Sequence, residues 1–183
     1  MQFRKVINFA LLLAQGLLAT ALPALAQTAA PSEYQLKAAF LYNFAKFIDW
    51  PPKSFSSEKS PFVIGVLGQN PFGNILERTV AGKEVNGHPI SVQGFRNVAE
   101  ASKCHLLFIG SSEKENIPAI IKGLAGASIL TVSETREFTD HGGMVNFVQE
   151  ANKIRFQINE EASKAVGLKM SSKLLSLAIP PNR

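Results

Sequence analysis

The chain has 183 residues, of which 46% are apolar, with 19 Lys and Arg against 14 Asp and Glu, three histidines and one cysteine. A lone cysteine excludes an intramolecular disulfide, so stability has to come from burial. The basic residues are spread along the chain, which leaves no nucleic-acid footprint, and the histidines and cysteine lack the spacing of a metal site.

Residues 1–26 read as a secretory signal peptide. Arg4 and Lys5 give a positive start, an apolar run follows, and Ala24-Leu25-Ala26 forms a small-x-small cleavage site. Cleavage there leaves about 157 residues, enough for one domain with its own core. It also lowers the formal charge from +5 to +3, because Arg4 and Lys5 are lost. The expectation is export, with no membrane insertion after cleavage and a single domain over 27–183.

The stretch 32–52 opens with Ser32-Glu33-Tyr34-Gln35, a capping box that predicts a helix start. Leu36, Phe40, Phe44 and Phe47 then recur at helical spacing until Pro51 and Pro52 stop the helix. Lys37, Lys46 and Asp49 make it too short and too charged to span a bilayer. Its wide apolar face needs a cover: the domain's own sheet, or a partner that reaches Phe40, Phe44 and Phe47. A patch left open there would serve docking or a homodimer.

Strands and helices alternate next. The apolar runs 61–68, 88–95, 104–110 and 127–134 predict strands, and 70–82, 97–103 and 111–126 predict helices, the last capped by Ser112. The alternation implies parallel pairing with right-handed crossovers. Residues 142–159 read as a β-hairpin turning at Glu150–Lys153, with Arg155, Gln157 and Asn159 on its wet face. Asn159 suits the cap of a following helix, and 171–178 a last short one. The fold class is α/β: one domain, a mostly parallel sheet of about six strands flanked by helices, a C-terminal hairpin and terminal helices.

Chemistry is sparse. Cys104 and His105 are neighbours on a strand, so their side chains point to opposite faces, and Cys104 reads as a buried structural thiol. The turn Gly68-Gln69-Asn70 follows a strand and opens a helix, a place where α/β folds hold small polar ligands, but its glycines do not spell a phosphate-binding fingerprint. Gly142-Gly143 serves backbone geometry before a strand. An enzyme would need distant residues such as His141 and Ser111 to meet. No catalytic residue, metal ligand or cofactor is assigned. The stripe Arg155, Gln157 and Asn159 is the candidate docking surface.

Taken in order, EYQLKAAFLYNFAKFIDWP, GGMVNFV, KIRFQIN and GLKMSSKLLSLA resemble the YfiR-like family of bacterial periplasmic proteins over about residues 32–179. The resemblance implies an exported α/β domain. It further implies repression of an inner-membrane diguanylate cyclase through the cyclase's periplasmic sensor region, which sets cyclic di-GMP output. The alternative is a periplasmic small-molecule sensor acting on another receptor. With only Cys104, this chain departs from relatives whose disulfides stabilise them or sense redox state.

Overall fold

The computed structural model describes residues 30–180, so the expected signal segment, 1–26, lies outside the described residues. Helix α1 (Glu33–Lys46) starts at the anticipated capping box, with Ser32 and Gln35 each bonding the other's backbone N–H. It ends four residues before Trp50 because the next residues pair elsewhere: β1 (Ile48–Asp49) is antiparallel to Lys169–Met170. Trp50 closes the end of the core, its indole N–H donating to Ala45 O at 3.1 Å and its ring meeting Phe62 edge-on.

The alternating segment follows as β2 (Phe62–Leu67), α2 (Ile75–Val80), β3 (Glu84–Val85), β4 (His88–Phe95), α3 (Val98–Ala101) and β5 (Leu106–Ile109). The span expected as one helix from 111 to 126 divides. Ser111–Asn116 is a 3-10 turn, and α4 (Ile117–Gly123) begins beside Pro118, which suits a first helical turn. Ser112 caps nothing; its hydroxyl accepts from Gln69 N–H at 2.9 Å. Then come β6 (Leu130–Ser133), β7 (Val145–Glu150), β8 (Lys153–Ile158), α5 (Glu160–Ala165), β9 (Lys169–Met170) and α6 (Ser172–Leu175). Asn159 caps α5 as expected, accepting from Ala162 N–H at 3.0 Å.

The main sheet has seven strands in the order β3-β4-β2-β5-β6-β7-β8. β4, β2, β5, β6 and β7 are parallel, while β3 and β8 pair antiparallel at the two edges. Every residue of β2, β5 and β6 is buried, as their unbroken apolar runs require of strands covered on both faces. One face packs on α1 through Leu41, Phe44, Phe62, Phe108, Phe147 and Phe156. The other packs on α3 and α4 through Leu107, Ile109, Ile117, Ile120 and Phe138. The hairpin turn places Ala151 (φ 47°) and Asn152 (φ 60°) in left-handed backbone, the two-residue geometry that matches strand twist.

One expectation about the hairpin needs correction. The face of β8 read as wet is covered: Gln157 is buried, and Arg155 and Asn159 are half-buried. Residues 179 and 180 contribute to that cover. Ile179 pairs with Gln157 as a parallel bridge, its N–H donating to Phe156 O at 2.9 Å, and Gln157 Nε2 donates to Pro180 O. This last segment shields the edge of β8 that would otherwise be open.

Candidate functional site

Register builds the site. Pairing sets Ser133 of β6 opposite Asn146 of β7, and Asn146 opposite Gln157 of β8. Side chains alternate along a strand, so while Val145 and Phe147 join the α1 core, Asn146 points to the other face. Three buried polar side chains thus form one row across the sheet. Two are engaged: Ser133 Oγ donates to Ile109 O at 2.8 Å and accepts from Thr135 N–H, and Gln157 bonds Pro180 O. Asn146 is 2% exposed, yet its Oδ1 has no partner among the described residues. A buried unpaired acceptor costs about 1–3 kcal/mol, so an orphan in a folded protein calls for an explanation.

The loop 134–143 roofs this row. Phe138 pins it by sinking completely into the core. Gly143 allows that, because a Cβ there would stand 2.3 Å from the Phe138 ring, while Gly142 takes a φ of +88°. The expected backbone role of the glycine pair is therefore two roles, one of conformation and one of close approach. From the far side, Asn159 Nδ2 donates to Thr139 O at 3.2 Å. Between loop and sheet lies a cavity of about 600 Å³ whose walls include Arg136, Glu137, Thr139, Asp140, Asn146 and Gln157. That volume suits a small ligand.

A second hollow, about 310 Å³, adjoins it and shares Glu134, Phe147, Val148 and Gln149. Here the Lys37 ammonium, on an otherwise apolar stretch of α1, is buried between Glu33 and Glu134 and bonds both. Burial pulls its pKa down, but the bonds and charges of the two carboxylates outweigh that, and it stands above the ordinary lysine value. Tyr34 donates to Glu134 Oε1 at 3.2 Å, and burial, then the Glu134 charge, raises its phenol. The cluster ties α1 to the end of β6. Among the described residues no three His, Cys, Asp or Glu gather as a metal set, and no helix is long and apolar enough to cross a membrane.

A family model described as "YfiR/HmsC-like" matches residues 34–179. The chain belongs to this family. YfiR/HmsC-like proteins are periplasmic regulators, known for controlling diguanylate cyclases rather than for catalysis. The chain is also similar in fold to a solved structure, a conserved domain protein from Vibrio cholerae O1 biovar El Tor, with a TM-score of 0.57 and 12% identity. The match covers 82% of this chain but only 60% of that one, so it speaks to architecture alone. No match was found among curated proteins.

Within this YfiR/HmsC-like domain the residues singled out from sequence scatter. Gly68, Gln69 and Asn70 form a turn held by its own bonds: Gln69 N–H bonds Ser112, Asn70 Oδ1 accepts from Phe72 N–H at 2.9 Å, and Asn70 Nδ2 donates to Gly73 O. Phe44 is fully buried and cannot meet a partner in the folded chain, which corrects its place as a docking residue. It packs with Phe40, Phe147 and Phe156 at 5.0–6.0 Å between ring centres. Phe40 and Phe47 are half-buried. Gln157 is likewise withdrawn as a surface contact.

Cys104 is buried, and burial pushes its thiol up to about 12, which keeps it protonated and unreactive at neutral pH. His105 is a strut: Val63 N–H donates to its Nδ1 at 3.0 Å, and its Nε2 donates to Ser54 O at 3.0 Å. No hydrogen bond links His141 to Ser111 among the described residues. Asn146, Lys37, Glu134 and the 136–140 loop were missed. Their one sequence signal was polarity out of place: an Asn inside MVNFV and a Lys inside an apolar helix face.

Proposed function

We propose that this protein restrains an inner-membrane diguanylate cyclase by binding the cyclase's periplasmic sensor region, and so lowers cyclic di-GMP. The observation that carries the reading is the YfiR/HmsC-like match, which spans 34–179 and so takes in both terminal motifs. In this reading residues 1–26 are a cleaved export signal and 27–183 form one domain. The domain acts by preferring one conformation of its partner, without turnover. A preference of about 1–3 kcal/mol shifts the partner's balance several-fold to a hundredfold. Arg155, Asn159, Phe40 and Phe47, each partly exposed, are the contacts that remain from the sequence reading. The test is co-purification with the sensor region of a diguanylate cyclase from the same cell, beside cyclic di-GMP measurement after deletion. A complex and a rise in cyclic di-GMP are expected. Absence of binding at micromolar concentration together with unchanged cyclic di-GMP refutes the reading.

A further inference from the structure

We infer that the cavity under the 134–143 loop binds a small organic cation, an amine or a guanidine, whose N–H groups bond Asn146 Oδ1. Three observations converge on it. First, Asn146 is 2% exposed, lines the cavity and holds a buried acceptor with no partner among the described residues. Its neighbours in the row, Ser133 and Gln157, each bond a backbone carbonyl, so within the row the buried atom left without a partner among the described residues is the Asn146 oxygen. An N–H donor is what that oxygen lacks.

Second, the surrounding charge favours a cation. The cavity and its neighbour are lined by four carboxylates, Glu33, Glu134, Glu137 and Asp140, against two cations, Lys37 and Arg136. Lys37 is spent on Glu33 and Glu134. On the loop, Glu137 and Asp140 outnumber Arg136, and none of the three joins an ion pair among the described residues. An anion would meet Arg136 but also two carboxylates and a bare acceptor; an ammonium or guanidinium meets complementary charge at both carboxylates and an acceptor at Asn146, against the single opposing charge of Arg136.

Third, the loop is held in place for the task. Phe138 anchors it, Asn159 braces Thr139, and Glu137 sits at φ 61°, a left-handed backbone that non-glycine residues seldom take. A preformed wall keeps the ordering cost of binding low.

This inference goes beyond control of a cyclase and is separable from it, since loss of amine binding leaves the sensor-region experiment untouched. Titration calorimetry of the purified protein with putrescine and agmatine tests it, with inorganic phosphate and glucose at matched ionic strength as contrasts. Both amines are expected to bind and the contrasts not to. Asn146→Leu should weaken the amines roughly tenfold or more, as loss of a bond to a charged donor does. Should that variant misfold, Glu137→Gln with Asp140→Asn on the exposed loop decides, by a weakening of about tenfold and a flatter salt dependence. No amine binding, phosphate or glucose binding as well as the amines, or amine affinity indifferent to these substitutions overturns the assignment.

Discussion

The turn after β2 and the loop after β6 stand at the same carboxyl edge of one sheet, and both are rich in polar residues. After β2 the turn's backbone and Asn70 have work inside the fold: Gln69 N–H bonds Ser112, Asn70 bonds Phe72 and Gly73, and Glu113 lies against Gly68. After β6 the loop stands off the sheet, and among the described residues its three charged side chains form no ion pair and Asn146 holds a buried acceptor without a donor. Strand order would favour the first place, since β4-β2-β5-β6-β7 reverses direction between β2 and β5, where α/β sheets commonly bind ligands. Here that crevice is filled by the 111–116 turn. Polarity at a strand end is therefore a poor guide to a site; unsatisfied polarity beside open space is a better one.

The largest effect is expected from opening the face that both strand ends share. Phe44→Ala removes the centre of the aromatic cluster beneath β7 and β8 and should cost about 3–5 kcal/mol in urea unfolding. A cost near zero would mean that α1 is not the cover described. Next, Gly68→Ala tests the sealed turn. Its φ is +85° and an added Cβ would stand 2.5 Å from Ser112 Oγ, so a loss of roughly 2 kcal/mol is expected, with Ser112→Ala restoring part of it.

The polar row then gives a sharper pair. Ser133→Ala loses a satisfied hydroxyl and should destabilise by about 1 kcal/mol, whereas Asn146→Leu removes an orphan and should be neutral or stabilising. Equal losses would show that Asn146 has a partner after all.

The smallest effect concerns pH at the amino edge of the sealed half. Burial lowers the pKa of His105 from the usual 6.5, with the neighbouring His88 adding to the shift and the Ser54 carbonyl opposing it. The unfolded chain therefore takes up this proton first. His105 contributes full stability above about pH 6.5 and loses it as the pH falls from there toward the lower folded value. Urea midpoints at pH 7.5, 6.0 and 5.0 should decline in that order, and less steeply in His105→Gln. An unchanged slope in that variant would remove His105 as the cause.

Much of the fold was legible because its signals are local. The Ser32 box, the apolar runs of β2, β5 and β6 and the Asn159 cap all depend on residues close together in sequence. What escaped notice is non-local. The β1–β9 pair joins residues 48–49 to 169–170, and the cover on β8 comes from Ile179, so period-two alternation alone assigned Gln157 to water. The site escaped for the same reason: Asn146 is one polar letter in a strand until register sets it beside Ser133 and Gln157.

Amide chemical-shift mapping during an agmatine titration separates the two strand ends most directly. Shifts gathered on Arg136–Asp140, Asn146 and Gln157, with Gly68–Asn70 still, are the expected result. Shifts gathered on Gly68–Asn70, or none anywhere, would contradict the assignment of the β6 end as the binding region.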